Sequence, residues 1–148
     1  MNMSTTTLSD LNLEDLLPHR GDMLLVKEIL AVDSKTARAL FLVDKSWPMA
    51  DAHGVHPLIL VELAAQTAGV CNGWDRIQTK GRDSNQMGWL VGIKKADFTL
   101  DSLPFGSTIT ARAENTYSFE NLREVSCELE MDNQIIGRAT LQLFQVNQ

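Results

Sequence analysis

Only two cysteines, Cys71 and Cys127, occur in the 148 residues. Neither neighbours a metal-type cluster, so neither a disulfide framework nor a metal centre is expected. Both read as core thiols in a reducing cytoplasm. No window approaches the roughly 18 uninterrupted apolar residues of a membrane span. The opening Met-Asn-Met-Ser-Thr-Thr-Thr lacks a basic region followed by an apolar core, so no secretory signal is expected. Basic charge is in deficit, with 13 Lys and Arg against 19 Asp and Glu and a net charge of −6. That balance argues against a nucleic-acid partner, which needs a basic surface. No Walker loop and no dinucleotide fingerprint is found. Nor is there an internal repeat, and the length fits one domain.

What is present is a soluble globular composition, 44% hydrophobic and 22% charged. The stretch from His53 to Gly69 is almost entirely apolar or small, with one carboxylate, Glu62, and two imidazoles, His53 and His56, upstream of it. Pro57 suits a first helical turn, and the helix is predicted to run to about Arg76, roughly 30 Å. At about 100° per residue, Glu62, Gln66 and Gly69 share one face. Leu, Val and Ala fill the other faces, as in a helix buried on nearly all sides. A lone Glu there is paired, is neutral or faces a cavity.

Residues 1–8 are expected to be disordered and 9–148 to form a single domain. Ser9 or Asp10 is predicted to cap a short helical turn through Leu16. Met23 to Val32 reads as a strand paired with Thr36 to Val43 across Asp33-Ser34-Lys35. Asp44 to Val55 is loop, and so is Thr79 to Gln86. Met87 to Phe98 reads as a strand. Ile109, Ala111 and Ala113, then Val125, Cys127, Leu129 and Met131, then Ala139, Leu141 and Leu143 alternate with polar residues. Asp132-Asn133 marks a tight hairpin. Such alternation means an antiparallel sheet with one covered and one wet face. The class is α+β, an antiparallel sheet wrapped around one long central helix. Its open edges suit pairing of two such units.

Four segments carry a family resemblance: Leu17-Pro18-His19-Arg20 followed by Met23-Leu24-Leu25-Val26; Glu62-Leu63-Ala64-Ala65-Gln66; Gly92-Ile93-Lys94-Lys95-Ala96-Asp97-Phe98; and Leu103-Pro104-Phe105-Gly106. In this order they resemble the β-hydroxyacyl-(acyl carrier protein) dehydratases, and most nearly the divergent dehydratase-like proteins of aryl-polyene clusters. The resemblance implies a hotdog fold, a homodimer or higher even oligomer (a heterodimer being the other option), and an acyl-phosphopantetheine tunnel at the interface. It implies a His from one subunit and the helix Glu of the other dehydrating a 3-hydroxyacyl thioester. The family's His-Phe-Pro-Gly loop places its His fourteen residues before the Glu, and that position here is Pro48.

Such an elimination needs a base for Cα–H and an acid for the departing hydroxyl, roles suited to a neutral imidazole and a carboxylic acid of raised pKa. By that reasoning Glu62 is the acid and His53 or His56 the base. The alternative for Glu62 is a structural carboxylate bonded to loop amides or to His19. Gln66 would orient the leaving hydroxyl or a water, or simply satisfy itself internally. Amides near Pro57 to Leu60, or one near Gly92, would polarise the thioester carbonyl. His19 and Arg20 read as braces for the N-terminal segment. Lys94, Lys95 and Arg112 are the candidates for docking an acidic acyl carrier protein, ahead of Arg20 and Arg123. No cofactor is needed, because the substrate rides on carrier phosphopantetheine or coenzyme A. The rivals are a hotdog thioesterase and a non-catalytic acyl-binding subunit.

Overall fold

Helix α2, Ile59–Lys80, is 22 residues long and lies against an antiparallel sheet of six strands. The computed structural model describes residues 7–84 and 88–145, without the side chain of Trp89. The strands are β1 Glu28–Val32, β2 Thr36–Leu42, β3 Gly88–Phe98, β4 Thr108–Phe119, β5 Leu122–Met131 and β6 Gln134–Gln145, and a short helix α1, Leu13–Leu16, precedes them. Their order across the sheet is β1-β2-β4-β5-β6-β3. This is the α+β arrangement expected from the period-2 pattern.

The register explains how the helix fits. Ala37, Ala113, Cys127 and Ala139 lie directly opposite one another across β2, β4, β5 and β6. All four are buried, and the Cys127 thiol approaches the Ala64 carbonyl of α2 at 3.8 Å. A row of small side chains lets the helix settle close to the sheet, while Leu60, Leu63, Phe41, Ile109, Leu129 and Leu141 fill the space on either side. Both cysteines are free and buried, and burial pushes each thiol up to about 12. They serve as core packing.

Several boundaries differ from the sequence expectation. Helix α2 runs four residues past Arg76, because Ile77 continues its buried face. It stops at Gly81, whose φ of 94° suits glycine and whose N–H reaches the Ile77 carbonyl. The cap of α1 is Asn12, its N–H bonded to Asp15 Oδ2 at 3.0 Å, whereas Ser9 and Asp10 lie in a preceding 3-10 turn. That turn begins at Leu8, inside the stretch expected to be disordered, whose residues 1–6 lie outside the described residues. Met87 and residues 85–86 of the expected polar loop lie outside them as well. Met23 to Lys27 is not strand. Gly21–Met23 forms a 3-10 turn, and the buried Leu25 and Val26 continue in extended form to β1.

The hairpin at Asp132-Asn133 is as expected, with φ of 53° and 63° at its two residues. The 44–58 loop is pinned by Val55, which exchanges backbone hydrogen bonds of 2.9 and 2.8 Å with Leu103. Among the described residues no helix is long and apolar enough to cross a membrane.

Candidate active site

Glu62 sits in the first turn of α2 and opens on a cleft of about 240 Å³ between the helix, the Leu16–His19 segment, and the ends of β3 and β6. Along the helix the cleft follows Glu62, Ala65, Gly69, Gly73 and Arg76, the small residues forming its floor. Leu16, Leu17, Leu90, Leu143 and Phe144 give it apolar walls. At Gly73 the helix meets the backbone of Leu16, since a Cβ there would overlap the Leu16 carbonyl oxygen. This close crossing fixes where the following residues Leu17, Pro18 and His19 lie.

His19 then reaches Glu62, with Nε2 3.1 Å from Oε1. Gln66, one turn along the helix, donates from Nε2 to the same Oε1 at 3.0 Å. Glu62 Oε2 accepts no hydrogen bond among the described residues. Gln66 is fully buried and committed elsewhere too, donating to the Met23 carbonyl at 2.7 Å and accepting from the Leu25 N–H at 2.9 Å. The amide therefore does for the 23–25 segment what a neighbouring strand would do, which is why that segment is extended but unpaired. His19 Nδ1 is buried and has no hydrogen-bond partner among the described residues. Arg20 braces the turn, donating from Nη1 to the Leu17 and His19 carbonyls at 2.6 and 2.8 Å.

These contacts decide the state of the carboxyl. Burial pushes Glu62 upward, but the hydrogen bonds from His19 and Gln66, with the electrostatic pull of His19, outweigh it and hold the group below its ordinary value of 4.5. This corrects the expectation of a raised carboxyl. An apolar cleft alone would have raised it, and two donors on one oxygen reverse the sign.

Of the other residues singled out from the sequence, Gln66 joins Glu62 and the rest do not. His53 is exposed on its loop, with its backbone N–H on Asp51 Oδ1 at 2.7 Å. The Nδ1 of His56 accepts the Leu58 N–H at 3.0 Å, so this ring caps the start of α2 and offers only Nε2 to a substrate. Neither lines the Glu62 cleft of its own chain. Pro57 is buried ahead of α2, and the amides of Ile59 and Leu60 close onto the carbonyls of His56 and Pro57. The helix-start amides are thus engaged rather than free for a carbonyl oxygen.

Gly92 lies on β3 against Gln142 of β6, outside the cleft lining. The three docking candidates each have a carboxylate partner: Lys94 with Glu124 at 3.0 Å, Lys95 with Asp97 at 3.6 Å, and Arg112 with Glu114 at 4.0 Å. Exposed pairs of this kind are weak and can be exchanged. Among the described residues no three His, Cys, Asp or Glu side chains converge to hold a metal.

Sequence reasoning gave His19 only as an alternative, structural partner of Glu62, and that contact is the one the fold makes. The signal of His19 was the Leu-Pro-His-Arg run before a buried segment, but its partner lies 43 positions away and only the fold brings them together.

The chain is 26% identical over 135 residues to the 3-hydroxyacyl-(acyl carrier protein) dehydratase FabZ of Streptococcus uberis, covering 88% of this chain and 92% of the relative. It is 27% identical over 134 residues to the same enzyme of Streptococcus pneumoniae, covering 87% and 91%. The dehydratase heterocomplex ApeI:P from Xenorhabdus doucetiae superposes with a TM-score of 0.82 over 93% of each chain, at 22% identity. That likeness carries the hotdog fold to this chain. The sequence profile of the ApeP-like family, described as ApeP dehydratase, matches residues 11–148, and this chain, a dehydratase-like protein, belongs to that family.

Proposed function

We propose that this protein works in a 3-hydroxyacyl thioester dehydratase, converting a chain carried on the phosphopantetheine of an acyl carrier protein, or on coenzyme A, into the trans-2-enoyl thioester. The observation that carries the reading is Glu62, a helix carboxylate at the mouth of an apolar cleft, held on one oxygen and open on the other. Elimination needs a group that moves a proton between Cα and the departing hydroxyl, and no redox or metal cofactor. The apolar walls would take the acyl chain.

The ApeI:P relative is a heterocomplex, so the reading includes a second dehydratase-fold chain, a copy or a different protein, beside this one in the cytoplasm. His53, exposed on its loop, remains available to such a neighbour's cleft. Docking of an acidic carrier at Lys94 and Lys95 would displace Glu124 and Asp97 from them.

A second reading is favoured by Pro48, which stands where the family's His is expected. On that view the chain binds acyl groups and supports an active partner. One experiment separates these readings: 3-hydroxyacyl and saturated acyl thioesters, free and carrier-bound, are incubated with the protein while enoyl absorbance and free thiol are followed separately. Enoyl formation abolished by Glu62→Gln supports the dehydratase. Thiol release instead would make the chain a thioesterase. Silence on both, with carrier-bound thioester still retained, would overturn catalysis by this chain on its own and favour the acyl-binding subunit of an active partner.

A further inference from the structure

We propose that His19 is the positioning residue of Glu62, so that Glu62 acts as the base through Oε2 rather than as the acid. The inference rests on the dehydratase reading and departs from the acid role first expected for this carboxyl.

The geometry is asymmetric. Oε1 receives both His19 Nε2 at 3.1 Å and Gln66 Nε2 at 3.0 Å, while Oε2 receives no donor among the described residues. A carboxylate held in this way is fixed in orientation and kept ionised, with one oxygen free. The imidazole lines the same cleft, but neither ring nitrogen is free to exchange a proton with a substrate. One of its nitrogens faces Glu62, and the other, Nδ1, is buried. It therefore acts through the carboxylate.

The other charged groups near α2 at this end leave the pair to itself. Arg20 is turned onto the Leu17 and His19 carbonyls and lies 3.4 Å from Glu14. Arg76 and Arg123 line the cleft some turns along the helix, and Arg123 lies 3.5 Å from Asp75. On β3, Lys94 and Lys95 face Glu124 and Asp97.

The step balances on one group. Oε2 takes the Cα proton as the C–H electron pair becomes the Cα=Cβ bond and the Cβ–O bond breaks. The same proton passes to the departing hydroxyl, which leaves as water, and Glu62 returns to its ionised state.

The test compares His19→Ala and His19→Gln with the wild type, and its first readout needs no turnover. In a carboxyl-carbon NMR titration the wild-type Glu62 should titrate below 4.5. His19→Ala should move that midpoint up, and His19→Gln, which supplies an amide donor, should restore much of it. The second readout is the pH profile. In His19→Ala kcat should fall by up to about 100-fold with little change in KM, and the acid limb should move to higher pH. An unmoved Glu62 midpoint, or a His19→Ala enzyme with wild-type kcat and acid limb, would overturn the inference while leaving the dehydratase reading standing. A wild type that forms no enoyl product would overturn the dehydratase reading and the base role with it. In that event the titration still decides whether His19 governs the carboxylate.

Discussion

Two glycines of α2 should respond differently to the same substitution. Each Gly→Ala change in a helix interior gains about 1 kcal/mol from backbone propensity. At Gly73 the added methyl would overlap the Leu16 carbonyl oxygen and stand 3.0 and 3.1 Å from Leu16 C and Cα. These are backbone atoms and cannot rotate away, so the N-terminal segment must shift bodily, an overpacking cost of about 2–3 kcal/mol. The shift also carries His19 away from Glu62, at a further cost of up to about 1 kcal/mol, since both side chains are about a third exposed and water can replace the contact. The net effect should be a loss of about 1–3 kcal/mol, or roughly 3–9 °C in Tm for a chain of this size.

At Gly69 the contact is Leu17 Cδ2 at 2.6 Å, the end of a side chain that can adjust its rotamer for about 1 kcal/mol. Gly69→Ala should therefore be close to neutral. Urea unfolding of the two variants against the wild type is the assay. A Gly73→Ala protein as stable as the wild type, or a Gly69→Ala protein less stable than Gly73→Ala, would refute the claim that the N-terminal segment is seated on the helix at Gly73.

Gln66→Leu fills a similar volume but strands the buried Leu25 N–H and takes a donor from Glu62, and should cost about 2–4 kcal/mol in a urea midpoint series. The exposed Met23 carbonyl can turn to water, so a loss well above that range would mean the amide does more than the geometry indicates. A pH prediction follows from Glu62. Its folded pKa lies below the unfolded one, so its contribution to stability is present above about pH 4.5 and is lost as pH falls through the folded value. Glu62→Gln should accordingly flatten the decline of Tm with acid below about pH 4.5. An unchanged acid limb would mean that the carboxyl is not depressed.

The parts of the fold legible in the sequence were those with a clean period. The alternation in β4, β5 and β6 and the apolar run of α2 translate directly into one covered sheet face and one buried helix. Met23-Leu24-Leu25-Val26 misled because an apolar run does not say what its backbone bonds to, and here the partner is a side chain. Glu62 and Gln66 were legible as a pair because helix geometry alone places them together. His19 was legible only as one alternative partner of Glu62, because its approach depends on the Gly73 crossing, a tertiary contact without periodic signature. The docking lysines were named from charge alone; the partner of Lys94, Glu124, lies two strands away on β5, and that of Lys95, Asp97, two positions along β3 itself.

The Leu25 amide has a consequence for how the site can be watched. Its hydrogen bond ends on Gln66, whose other end holds Glu62. Exchange of that single proton with deuterium therefore monitors the carboxylate from across the chain. A ligand that pulls Gln66 toward the substrate, or acid that neutralises Glu62, should change the protection of Leu25 before any strand opens.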